Sequence, residues 1–454
     1  MPASPLTLKK QELRRRIEGL PAEVKRWRDA TAAEVDLNAH FSQLRAIEIF
    51  MKVFTDELDT KVEALAPAGD AKAFNQASLE VVQTTIRAQK CWDFFRDKLD
   101  LRHSPTHKTP LWVADTIAWD CHRPVVNLAA ELGIVDASHL REPPLVYCTA
   151  DYSPATWTRG SRPNDGRRYD LGEAHVPIPV IEIPWDHLDN SWEYLSLHHE
   201  VGHDIEADLG LRQPLRQNLD RVLREADVPA NRVATWLKWQ GEVFADLCGL
   251  RFAGPAFADA LMHLLLLPVA NVTAFDEEDP HPTPYVRMLM NAAYIRTLGV
   301  TPEIQGHAAQ VEQRWTALYG TTSGDAALDA HRQDFAHVFR ALIDTPLESL
   351  RQRSVAALIP FSAADDARIR GAEKYFRTGM NKPGNVPIRH VPSAARLAID
   401  ASNEAGTLTD DVCADVHQRV LDYVKELAPP GFRGGGPDAH EKFIASFTDR
   451  MFAA

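Results

Sequence analysis

The chain has 454 residues, of which 45% are hydrophobic and 25% charged, the composition of a globular protein with material for two or three domains. Its formal charge of −13 argues against a nucleic-acid partner, because phosphate recognition needs a basic surface. No run of apolar residues is long enough to span a bilayer, so membrane insertion is not expected.

The N-terminus carries Lys9, Lys10, Arg14, Arg15 and Arg16 with no apolar segment behind them, which does not read as a secretory signal and points to a cytoplasmic protein. Residues 1–105 show apolar positions at three- to four-residue spacing, clearest over Phe41–Phe50 and Leu79–Phe95, and predict a helical N-terminal region. Pro105 and Pro110 then interrupt the pattern. Short β-type runs at Pro144–Thr149 and Val176–Pro184 flank a polar, glycine-bearing loop around 159–166. Pro177 and Pro179 suit an edge strand better than a central one. Cys91, Cys121, Cys148, Cys248 and Cys413 are scattered with no C-x-x-C pair, which favours buried reduced thiols over a disulfide framework or a cysteine metal site.

Asn190 and Glu193 stand at N-cap and N3 spacing and predict the start of a helix that Gly210 would end. Within it lies His199-Glu200-Val201-Gly202-His203, the H-E-x-x-H pattern. On a helix the two histidines project from one face on consecutive turns, so both imidazoles reach one Zn²⁺ while Glu200 reaches the water activated there. An edge strand next to such a helix suits a peptidase, since the strand pairs with an extended substrate backbone. His198 is turned by about 100° from His199 and reads as a neighbour rather than a ligand.

A catalytic zinc site needs a third protein ligand. The metzincin pattern would require Gly and His or Asp where this chain has Glu206 and Leu209; Asp208 faces another side, and Glu206 lies a turn further along the same helix. Downstream, Trp236–Gly249 has helical spacing, with Glu242 and Asp246 four apart on one face. An E-x-x-x-D pair by itself reads as solvated surface. About forty residues after an H-E-x-x-H, Glu242 reads as the third ligand and Asp246 as acceptor for the outer ring N–H of a zinc-bound histidine. Trp236 and Trp239 read as core around the site. Leu261–Val272 is the longest apolar run and, broken by His263, Pro268 and Asn271, reads as a buried helix. Tyr285 and Tyr294 read as core or cleft wall, and His103, His107 and His122 show no ligand spacing.

Glu242-x-x-Ala245-Asp246 resembles the E-x-x-A-D element of gluzincin metallopeptidases, whose glutamate is the third zinc ligand. His281-Pro282-Thr-Pro284-Tyr285-Val-Arg287 is similar to the His-Pro-x-x-x-x-Arg element of the CAAX-prenyl-protease and heat-shock-protease branch. The likeness covers about 90 residues, Ser191–Arg287. It implies one Zn²⁺ per chain on His199, His203 and Glu242, Glu200 as general base, Asp246 holding His199, and His281 with Arg287 lining the cleft and stabilising an oxyanion. Asp204, after the second histidine, departs from the usual uncharged residue. The branch's membrane spans are missing, which leaves a soluble lineage.

From residue 300 the pattern is again helical over Ala308–Tyr319, Ala326–Ile343, Ala363–Phe376 and Asp410–Leu427, with breaks at 381–384 and 429–437 and a last helix over Ala439–Phe452. The expected architecture is mainly α (α+β), with a zincin-like core at 106–300 between a helical region at 1–105 and a helical domain at 301–454. The expected activity is hydrolysis of peptide bonds in a protein or peptide substrate. A non-catalytic metal-binding scaffold and a zinc hydrolase of a non-peptide bond are the competing readings.

Overall fold

The computed structural model describes residues 3–31, 40–67, 69–136, 142–161, 176–276, 278–384 and 386–428. The expected helix at Ala439–Phe452, the break at 429–437 and most of the loop at 159–166 lie outside the described residues. Among the described residues the fold is mainly helical with one small sheet. Among the described residues no helix is long and apolar enough to cross a membrane.

Three long helices come first: α1 (Pro5–Thr31), α2 (Phe41–Glu63) and α3 (Ala71–Asp100). They bury a shared stripe that includes Leu20, Ile47, Met51, Trp92 and Phe95. Helix α4 (Lys108–Glu131) follows, and then strands β1 (Leu145–Thr149), β2 (Ala155–Trp157) and β3 (Val180–Pro184). The sheet order is β1-β3-β2, with β1 parallel and β2 antiparallel to β3. The run at 176–184 is therefore the central strand, contrary to the edge position that its prolines suggest. Pro177 and Pro179 precede the ladder, and Pro179 joins it only as an acceptor, from the Leu145 N–H. The edges are β1 and β2, and β2, at three residues, is too short to read from periodicity.

Both sheet faces are covered. Leu145 and Val180 face the N-terminal helices, whereas Val146, Cys148, Ile181 and Ile183 face the main core, the two-residue alternation of a strand. A buried Arg102–Asp115 pair fixes the junction. The Arg102 guanidinium holds Asp115 at 2.8–3.1 Å and donates to the Val146 carbonyl, while Asp115 accepts from the Val146 N–H.

The central helices are α5 (Ser196–Asp208), α6 (Arg212–Glu225), α7 (Ala230–Ala253), α8 (Ala256–Leu264) and α9 (Pro284–Leu298). The C-terminal part adds α10 (Pro302–Tyr319), α11 (Ala363–Thr378), α12 (Val391–Glu404) and α13 (Asp410–Leu427). Between α10 and α11, the path expected as one helix at 326–343 changes pitch from α to 3₁₀ and back, ending in a π turn at Arg340–Asp344. Among the described residues one apolar core runs from Leu111 to Ala428 across residue 300.

Two local expectations change. A 3₁₀ turn, Ser191–Leu195, precedes α5, and Asn190 makes no capping bond; its amide donates to the Asp186 carbonyl, and Glu193 turns to Arg396 at 3.1 Å. The apolar run at 261–272 is not a buried helix. Helix α8 ends at Leu264, Pro268 lacks the N–H a continuing helix needs, and Leu266–Asn271 lie exposed.

Candidate metal centre

Helices α5 and α7 cross at unusually close range, because Gly202 has no side chain. A Cβ there would stand 2.9 Å from the Ala245 Cα and 3.1 Å from the Cys248 Cβ. The glycine inside H-E-V-G-H and the alanine inside E-x-x-A-D thus have one packing reason, the approach that brings Glu242 opposite the two histidines.

Glu242 Oε2 lies 3.2 Å from His199 Nε2, Glu242 Oε1 lies 3.4 Å from His203 Nε2, and the two Nε2 atoms are 3.2 Å apart. Among the described residues, these three side chains form the one cluster able to hold a metal ion. Ligand atoms about 2.0–2.1 Å from zinc at tetrahedral angles are about 3.3–3.4 Å from each other. The separation of the two imidazole nitrogens, and of each from the carboxylate oxygen facing it, is close to that ligand-to-ligand spacing, so the donor set fits the ion.

The electrostatics favour positive charge at this point. Burial opposes charging of His199, but hydrogen bonds to Asp246 and Glu242 outweigh it and push its pKa up to about 10. Burial likewise opposes ionisation of Glu242, and the two histidines overcome it, holding the carboxyl well below the usual range. Glu200 is buried beside the triad, and that burial pushes its carboxyl above the ordinary range.

Asp246 is fully buried on α7, one turn beyond Glu242, and organises what lies behind the triad. Its Oδ1 accepts from His199 Nδ1 at 2.8 Å. Arg287 on α9 donates to it twice, from Nε to Oδ2 and from Nη2 to Oδ1, each at 2.7 Å. Asn291, one turn further along α9, donates Nδ2–H to Oδ2 at 3.1 Å. Arg287 therefore reaches the cleft floor engaged with Asp246, and its Nη2 comes within only 3.8 Å of Glu242 Oε2. Two of its N–H groups are thereby engaged with Asp246 while the residue still lines the cleft.

His281 sits half-exposed at the cleft mouth, its Nε2 3.4 Å from Glu242 Oε2. Asp279 fixes the ring by accepting from His281 Nδ1 at 2.8 Å and from its backbone N–H at 2.9 Å. Asn291 and Asp279 had not been singled out from sequence. Asn291 was readable as the helical neighbour of Arg287 at i+4, and Asp279 as the acid two residues before His281.

The remaining candidates are structural. His198 is buried with a nitrogen on the Arg389 carbonyl at 2.7 Å, and His122 pairs with Asp208 at 2.9 Å. Asp204 is buried on the side of α5 facing the sheet, bonded to Thr156 of β2 at 3.3 Å. Trp236 and Trp239 form a buried edge-to-face pair at 5.4 Å, with Trp236 Nε1 donating to Asp334. Tyr285 and Tyr294 are also buried.

The triad opens into a cleft of about 1200 Å³. Its floor is α5 from Ser196 to Ala207; Tyr152–Thr158, including β2, forms one wall, and α8 with the loop 279–284 forms the other. Comparisons of the chain with known protein families, with curated proteins and with solved structures find no match.

Proposed function

We propose that this cleft is the active site of a zinc-dependent metallopeptidase on a zincin-like core. The observation that carries the reading is the convergence of His199 Nε2, His203 Nε2 and the Glu242 carboxylate at the spacing of ligands around one ion. These three side chains would hold one zinc ion per chain and leave one position open toward the cleft, the arrangement of catalytic rather than structural zinc. Bound there, zinc supplies a Lewis acid that polarises the scissile carbonyl and makes water a nucleophile near neutral pH.

Asp246 accepts the Nδ1–H of His199, which makes Nε2 the nitrogen that would give up its proton and ligate the metal. Arg287 and Asn291 keep Asp246 ionised and oriented. The Glu200 carboxylate takes a proton from the attacking water as the oxygen bonds to the carbonyl carbon. It then delivers that proton to the amide nitrogen as the C–N bond breaks. Burial favours this exchange, since a carboxyl with a raised pKa is a stronger base when ionised and an effective acid when protonated. His281, its ring held by Asp279 at the cleft mouth, is the side chain placed to face charge developing on the carbonyl oxygen. The edge of β2 gives an extended peptide a strand to lie against.

Two substitutions test the reading. Glu200→Gln is expected to retain one equivalent of zinc and lose hydrolysis of a peptide mixture, whereas Glu242→Ala is expected to lose the metal. A Glu242→Ala protein that still holds one equivalent of zinc refutes the ligand set. A Glu200→Gln protein as active as the parent refutes the role of the base. Zinc binding without hydrolysis of any peptide bond by the parent protein would favour the scaffold or non-peptide alternative.

A further inference from the structure

Resting on the reading of the cleft as a peptide-bond hydrolase, we infer that its substrate is an extended polypeptide segment with a bulky apolar side chain seated against α8 beside the triad. The two cleft walls differ in chemistry. One offers the polar edge strand with Ser153, Thr156 and Thr158; the other offers Phe257, Ala260, Leu261, Leu264 and Leu265. An extended chain fits this asymmetry, because its backbone lies along the strand edge while alternate side chains point to opposite sides.

The apolar wall is backed by rigid structure. A Cβ at Gly249 of α7 would stand 2.6 Å from the Phe257 ring, so the ring lies directly on the α7 backbone. The wall also continues out of the cleft. Leu267 lines the cleft while 38% exposed, and Leu266 and Val269 beside it are 46% and 57% exposed. With Pro268 and Ala270 they make five consecutive exposed apolar residues contiguous with the site, a surface expected to meet an apolar partner. A small polar substrate would leave this surface in water, and the cleft is larger than the about 300–1000 Å³ of ordinary small-molecule pockets. Glu193, which also lines the cleft, is tied to buried Arg396 at 3.1 Å, and His263 accepts from the same guanidinium at 2.7 Å. The charge of Glu193 is thus engaged within the protein, and apolar surface is what the α8 part of this wall presents for discrimination.

The test uses the zinc-loaded full-length protein and two fluorescein-labelled hexapeptides, all alanine or alanine with one central leucine. Fluorescence anisotropy is expected to show at least tenfold tighter binding of the leucine peptide. Ala260→Phe, which fills the pocket, and Leu267→Asp, which charges an exposed position, are each expected to collapse that ratio at least fivefold, with circular dichroism confirming the fold. Equal affinity for the two peptides, or a ratio unchanged in both variants, overturns the inference. Mass spectrometry of a digested peptide mixture is read separately. Cleavage without an apolar preference also overturns the inference but leaves the hydrolase reading standing, whereas leucine-selective binding with no cleavage supports the inference and counts against hydrolysis.

Discussion

Asp246 carries more of the site than any metal ligand, and its removal has a size that follows from its contacts. The carboxylate is fully buried and accepts four hydrogen bonds of 2.7–3.1 Å, from His199, twice from Arg287, and from Asn291. Asp246→Ala leaves the Arg287 guanidinium buried without its main counter-charge, and breaking such a pair costs about 3–5 kcal/mol. Set against a typical total of about 5–15 kcal/mol, that is a large fraction of the stability. Independently, His199 loses the acceptor that fixes its ring, and loss of such a partner weakens metal affinity about 10–100-fold. Urea denaturation of the metal-free protein reads the first effect, and zinc competition with a chromophoric chelator reads the second. The pair also makes a clean cycle. Asp246→Leu with Arg287→Met removes both charges and should recover most of the stability lost in Asp246→Ala, but not the zinc affinity, because His199 stays unheld. Unfolding free energies within about 1 kcal/mol of the parent for Asp246→Ala, or full recovery of zinc affinity in the double variant, would refute this account.

Gly202→Val should destabilise the protein by about 1–3 kcal/mol and weaken zinc binding together, since the new atoms meet α7 backbone and must part the ligand-bearing helices; calorimetry and zinc titration read both, and unaltered zinc affinity contradicts the packing argument. Acid should unfold the protein through its buried neutral histidines. Burial lowers the pKa of His198 to about 4 and of His390 to about 3, below the ordinary 6.5, so the unfolded chain takes up these protons first. Stability from each is present above pH 6.5 and falls by about 1.4 kcal/mol per pH unit down to the folded pKa. A urea midpoint independent of pH between 6 and 4.5 refutes that assignment. Zinc at 100 times its dissociation constant should raise the unfolding free energy by about 2.7 kcal/mol in the parent and not in Glu242→Ala, as measured by the shift in urea midpoint.

What the sequence made legible depended on how local each constraint is. His199, Glu200 and His203 lie within two turns of one helix, and helical spacing alone puts the two imidazoles on one face. Glu242 and Asp246 are likewise one turn apart, so their shared face was readable even though their partners were not. The edge strand was misplaced for the opposite reason. Strand order is a property of long-range pairing, and Pro177 and Pro179 stand before a ladder that begins at Val180. Asn190 and Glu193 had the spacing of a capping box, but Glu193 faces Arg396, some two hundred residues away in sequence, and a buried guanidinium is a stronger partner than a helix N–H. Leu261–Val272 was read as buried because burial is the default for an apolar run, and nothing local says that a run forms the lip of a cleft.

The same distinction separates the two halves of the functional argument. The proposed metal triad is written in residues whose identity carries the chemistry, and Gly202 shows that even its packing is encoded beside it. The substrate wall is written in leucines, alanine and phenylalanine, which are chemically mute in sequence and acquire meaning only from where α8 stands relative to Glu242. Arg287 joins the halves. Its sequence position suggested a group that meets developing charge, whereas its bidentate hold on Asp246 makes it a support for His199, two hydrogen bonds removed from the metal position. Its substitution should therefore act through metal affinity and stability more than through the chemical step. Arg287→Lys, which keeps the charge but loses the fork, should lower zinc affinity while leaving turnover per bound zinc close to the parent value. An oxyanion role predicts the reverse, full zinc occupancy with turnover down by about a hundredfold or more.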